Sequence, residues 1–166
     1  MLTEREISHY HDSGYVVPDF QLEADTLEEI GFYHDHLIEK HPEFSDYCPA
    51  VLCYETAFLK FARIPEILDM VEQLIGPDFA LWNSSFFAKP AKIGSKTPWH
   101  QDGEYWPVRP LATCSVWVAV DHSTEENGCL RVIPGSHKNR RLGPHDYNGA
   151  DGLSLPLELK SDEYDE

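Results

Sequence analysis

The hydrophobic period changes once along this 166-residue chain, at Gly76-Pro77, and that change limits the folds open to it. Upstream, apolar residues recur at helical spacing; downstream, they fall in short β-prone runs. Helices first and strands afterwards point to an α+β or helix-decorated β-sandwich arrangement, not to a parallel βαβ sheet. Thr3 and Glu6 form a Thr-x-x-Glu capping box, Ile7, Tyr10 and His11 follow at helical spacing, and Gly14 stands where that helix stops. After an extended Tyr15-Val16-Val17, Asp19 and Phe20 lead into a second amphipathic stretch with Leu27, Ile30, His34, Leu37 and Ile38, which stops before Pro42. Residues 43–63 carry Phe44, Tyr47, Phe58 and Phe61 and read as a packed irregular segment, not a linker. A third helix opens near Ile64-Pro65, buries Ile67, Leu68, Val71, Leu74 and Ile75, and ends at Gly76-Pro77. Strands are expected at 79–88, 113–120 and 128–133, with turns at Asn127-Gly128 and Pro134-Gly135-Ser136.

The length suits one domain, with residues 1–76 its helical part and 77–166 its β part. Apolar content of 42% and aromatic content of 12% are those of a globular chain. The net charge of −16 repels phosphate backbones and anionic membranes, so neither nucleic acid nor membrane is an expected partner. A coenzyme A thioester would need a local basic patch against that field. No apolar run reaches the roughly 20 residues of a membrane span, and Met1–Glu6 lacks the pattern of a secretory leader. Cys48, Cys53, Cys114 and Cys129 form no Cys-x-x-Cys pair and are expected as reduced core thiols of a cytoplasmic protein.

His100 and Asp102 stand two apart in Trp99-His100-Gln101-Asp102. On an extended strand that spacing turns an imidazole and a carboxylate to one face. Together they are two thirds of the 2-His-1-carboxylate triad of non-haem Fe(II). A bare His-x-Asp in a surface turn has the same spelling, so the motif needs context.

The context is ordered. Trp99-His100-Gln101-Asp102, Tyr105-Trp106, Trp117-Val118-Ala119-Val120-Asp121 and the run Glu126 to Lys138 follow in the order and spacing of the phytanoyl-CoA dioxygenase family, which this sequence resembles. The resemblance implies a double-stranded β-helix, a cupin-like jelly roll, with N-terminal helices, and residues 77–166 as the first part of the barrel. It implies an oxidoreductase using Fe(II), 2-oxoglutarate and O₂ on a small organic substrate. By resemblance, His100 and Asp102 are metal ligands, and Asn83, Ser85 and Trp117 line the 2-oxoglutarate pocket. Tyr105, Trp106, Arg109 and Arg131 are candidates to meet substrate, and no catalytic residue is expected beyond the metal ligands. Relatives that halogenate lack the carboxylate, so Asp102 points to hydroxylation.

The family completes its triad with a later His, followed by an Arg for 2-oxoglutarate. After Asp102 only His122, His137 and His145 remain, and none matches that motif. The expectation is a fragment ending before the last barrel strands, inactive and weakly iron-binding on its own. A non-catalytic jelly-roll module and a cupin-like metalloenzyme independent of 2-oxoglutarate stand as alternatives.

Overall fold

The computed structural model describes residues 1–138 and 141–164. Helix α1 spans Glu4–Ser13. Thr3 Oγ1 accepts the Glu6 N–H at 3.3 Å while the Glu6 carboxylate accepts the Thr3 N–H at 2.8 Å, which satisfies donors that a helix start leaves unpaired. Gly14 ends α1 at φ +85°, and a Cβ there would stand 2.5 Å from His137 Nδ1. Gly14→Ala is therefore expected to cost about 1–2 kcal/mol in backbone strain alone, read as a lower urea midpoint at unchanged slope. An unmoved midpoint would mean that this turn is not held as described.

Helix α2 covers Ala24–Lys40 and buries Ile30 and Leu37, two turns apart on one face. Helix α3 runs Pro65–Ile75, with Pro65 in its first turn, Ile67 and Val71 buried, and Gly76 closing it at φ +86°. Between them, the Thr56–Arg63 segment is a 3-10 helix. Its three-residue turn stacks Phe58 over Phe61, and both are buried. These rings meet each other at 6.0 Å and Tyr33 at 6.3 and 6.2 Å, edge to face. The core is Ile30, Leu37, Cys48, Val51, Phe58 and Phe61, against which Phe86 and Val120 pack from the later chain.

The sheets are small. Strand β1, Tyr47–Cys48, pairs antiparallel with β2, Phe86–Phe87, in the register Tyr47 with Phe87 and Cys48 with Phe86. Strand β3, His145–Tyr147, pairs antiparallel with β4, Leu157–Leu159. A single parallel bridge joins Lys96 to Leu153. The structure is thus mixed helix and small sheets, in line with the α+β expectation, and no closed barrel forms among the described residues.

Three strand expectations need correction. Of 79–88 only Phe86–Phe87 is a strand, and 113–120 and 128–133 form no ladder. β-propensity marks a run that fits a half-buried pleated surface, but a strand exists only where another segment supplies its hydrogen bonds. Among the described residues none does so here, and Val116, Trp117, Leu130 and Val132 stay exposed. The thiols also divide: all four are free, Cys48 is buried, Cys114 and Cys129 are half-buried, and Cys53 is exposed, not in the core. No helix of the described residues is long and apolar enough to cross a membrane.

Candidate metal centre

The segment from Lys96 to Tyr105 carries the His-x-Asp pair and is held along the β3–β4 hairpin. The Lys96 N–H donates to the Gly152 carbonyl at 2.8 Å, and the Ser154 N–H donates back to the Lys96 carbonyl at 3.0 Å. The Leu159 N–H donates to the Trp99 carbonyl at 2.7 Å. The Tyr105 hydroxyl donates to the Leu157 carbonyl and accepts from the Leu157 N–H, each at 2.9 Å. Gln101 Oε1 accepts the Gly143 N–H at 2.7 Å.

His100 and Asp102 do not share a strand, which corrects the sequence expectation. Gln101 is extended and Asp102 opens the short helix α4, Asp102–Tyr105. An extended residue followed by a helical turn still brings the two side chains together. His100 Nε2 stands 3.2 Å from Asp102 Oδ1. Two cis donors on a metal with bonds of about 2.1 Å lie about 3 Å apart, so this spacing, an ordinary ion-pair distance, also fits two ligands of one ion. The outward atoms are tied as well. His100 Nδ1 donates to the Pro98 carbonyl at 2.8 Å, which leaves Nε2 to face the carboxylate. The Ser115 hydroxyl donates to Asp102 Oδ2 at 3.1 Å. Such outer partners fix ring orientation and ligand basicity in metal sites. The Tyr105 ring stands edge-on to His100 at 5.7 Å.

In the metal-free chain the pair is an ion pair. Burial opposes the His100 imidazolium, but the hydrogen bond to Asp102, the Pro98 carbonyl and the carboxylate charge outweigh it and raise its pKa above 6.5. The His100 hydrogen bond, against burial and with help from its charge and from Ser115, holds Asp102 below 3.8. The His100 contribution to stability is full below pH 6.5 and is lost as pH rises through the raised pKa. That of Asp102 is full above pH 3.8 and is lost as pH falls through the lowered one. In chelator, the melting difference between wild type and His100→Ala is expected to be largest near roughly pH 5 and to shrink toward alkaline pH. A difference independent of pH would contradict the ion pair.

The other candidate residues spread out. Asn83 Nδ2 donates to the Pro49 carbonyl at 2.8 Å, and the Ser85 hydroxyl donates to the same oxygen at 3.0 Å. Trp117 is half exposed. Arg109 donates to the Trp106 and Val108 carbonyls at 3.1 and 2.7 Å, and Trp106 is half-buried. The Arg131 guanidinium lies over the Trp99 ring at 5.4 Å. Two neighbours of the pair were not singled out from the sequence. One is Ser115, in a run legible only as a strand. The other is Tyr47, whose hydroxyl pKa is raised by burial first, with Ser85 opposing the shift and the Asp102 charge adding to it.

No third donor joins the pair: among the described residues no group of three His, Cys, Asp or Glu is placed to hold a metal. His137 Nε2 bonds the His11 carbonyl at 3.0 Å. Both ring nitrogens of His145 are engaged, by the Gln101 N–H at 3.1 Å and the Gly143 carbonyl at 2.9 Å. The described residues therefore fit two positions of an iron site and not the third.

Comparison with known proteins gives the pair its setting. The chain is 36% identical over 118 residues to the peroxisomal phytanoyl-CoA dioxygenase of Mus musculus, a match spanning 68% of this chain and 32% of that protein. It is 43% identical over 93 residues to the Homo sapiens protein of the same name, covering 53% and 27%. It is 30% identical over 87 residues to a probable alpha-ketoglutarate-dependent hypophosphite dioxygenase of Stutzerimonas stutzeri, covering 52% and 30%. The matches thus span about a third of the length of these relatives. No solved structure matches the chain. The family model described as Phytanoyl-CoA dioxygenase (PhyH) matches residues 35–165, which include every candidate above. The chain belongs to the phytanoyl-CoA dioxygenase (PhyH) family of Fe(II)/2-oxoglutarate oxygenases.

Proposed function

We propose that this chain carries the iron-binding pair of a 2-oxoglutarate-dependent dioxygenase that hydroxylates a small organic molecule. The observation that carries the reading is the 3.2 Å approach of His100 Nε2 to Asp102 Oδ1, with Pro98 and Ser115 holding the atoms behind them. Imidazole and carboxylate donors suit Fe(II), and the carboxylate leaves no place for a halide at that position. Bound iron supplies the activation of O₂ with 2-oxoglutarate as cosubstrate. The protein's part is to orient the donors and the ring of Tyr105 around that position. Asn83, Ser85 and Trp117 are assigned to the 2-oxoglutarate side. Tyr105, Trp106, Arg109 and Arg131 are assigned to the substrate side. With two protein donors among the described residues in place of three, the pair holds iron weakly and this chain on its own is inactive.

Anaerobic mixing tests the reading. Fe(II) and 2-oxoglutarate together are expected to give a visible charge-transfer absorption that needs both components and disappears in His100→Ala. Fe(II) binding with no response to 2-oxoglutarate would overturn the cosubstrate assignment, and a response that survives His100→Ala would overturn the ligand assignment.

A further inference from the structure

The hydrogen bonds of His145 assign a role to each of its ring nitrogens. A backbone N–H can only donate, so the Nε2 facing Gln101 at 3.1 Å is bare. Nδ1 then carries the hydrogen and donates it to the Gly143 carbonyl at 2.9 Å. The ring is thus fastened at both nitrogens. It sits on β3 directly opposite Leu159 of β4. Leu159 in turn donates its N–H to the Trp99 carbonyl at 2.7 Å.

That cross-strand pair therefore grips two atoms, the carbonyl of Trp99 and the amide of Gln101. These belong to the two peptide units on either side of His100. Holding both fixes the direction in which the His100 Cα projects its ring. The second held unit also leads into Asp102, at the start of α4. Gly143 completes the clamp, since its N–H donates to Gln101 Oε1 at 2.7 Å while its carbonyl orients His145.

We propose that His145 is a positioning residue for the metal pair: through Nε2 it pins the backbone between His100 and Asp102, and so sets the angle at which both donors meet a metal. The inference rests on the reading of His100 and Asp102 as ligands. His145 is not itself a donor, because neither ring nitrogen is open.

Substitution by amides separates this role from a merely structural one. A Gln carbonyl reaches the place of Nε2 and can still accept the Gln101 N–H. An Asn side chain reaches only the place of Nδ1, so it keeps a donor for Gly143 and leaves Gln101 unpaired. Mn(II) alone is the probe, titrated into the full chain and into His145→Asn, His145→Gln and His100→Ala. His145→Asn is expected to weaken Mn(II) binding about 10- to 100-fold, the range for groups that orient a ligand, and His145→Gln to restore it to within about threefold of wild type. Hydrogen exchange of the Gln101 amide in the metal-free chain is expected to be about five- to tenfold faster in His145→Asn and not in His145→Gln, the factor one net hydrogen bond supplies. His145→Asn that binds Mn(II) like wild type, or that leaves Gln101 exchange unchanged, would overturn the proposal. So would equal loss in both amide variants with equally lowered melting temperatures, which is the mark of a purely structural residue. Wild type and His100→Ala binding Mn(II) alike would instead overturn the metal reading, and the positioning role with it.

Discussion

Asp102→Gly is expected to lower affinity for Fe(II), or for Mn(II) as its air-stable substitute, by more than roughly 100-fold, beyond the upper range for outer-shell changes. Asp102 is the only anion of the pair, and its Oδ1 lies 3.2 Å from the imidazole nitrogen that would share the ion. Without it a divalent cation has one neutral nitrogen, against water that supplies a full shell. Asp102→Asn separates charge from shape, because the amide keeps an oxygen for the Ser115 hydroxyl that now bonds Oδ2 at 3.1 Å. Its affinity is expected to fall between those of wild type and Asp102→Gly in an equilibrium Mn(II) titration. Binding by Asp102→Gly within threefold of wild type would remove Asp102 from the site.

Leu37→Ala is expected to cost about 3 kcal/mol, the middle of the range for emptying a buried leucine site. Leu37 is 2% exposed and belongs to the cluster with Ile30, Cys48, Val51, Phe58 and Phe61. For a chain of this size that loss lowers the melting temperature by roughly 10 °C. Val116→Ala makes the contrast: Val116 is 52% exposed, and its truncation is expected to stay within about 0.5 kcal/mol. Equal effects from the two would show that the stability of the chain does not reside in the helical core.

Much of that core was legible because helices announce themselves locally. The capping box of Thr3 and Glu6, the Pro65 opening and the glycines at 14 and 76 each act within a few residues, and the structure places α1 and α3 on those signals. The β part was not legible in the same way. Thr113 to Val120 has the composition of a strand, but a strand requires a partner segment, and among the described residues that run has none. The metal pair lies between these cases. Its spacing is visible in the sequence, but the two side chains are brought together by an extended Gln101 leading into a helical turn at Asp102, not by a shared strand face. The hydroxyl of Ser115 and the ring of His145 were invisible as parts of the site, since each reaches it from 13 and 44 residues away through contacts that no local pattern encodes.

Whether His100 Nε2 and Asp102 Oδ1 meet on one metal ion is tested most directly by the nitrogen hyperfine coupling of Mn(II) bound to chain labelled with ¹⁵N-histidine. Coupling to a single imidazole nitrogen is expected, lost in His100→Ala and retained in His122→Ala and His145→Gln. Absence of any imidazole coupling in wild type, or its survival in His100→Ala, would contradict the shared metal ion.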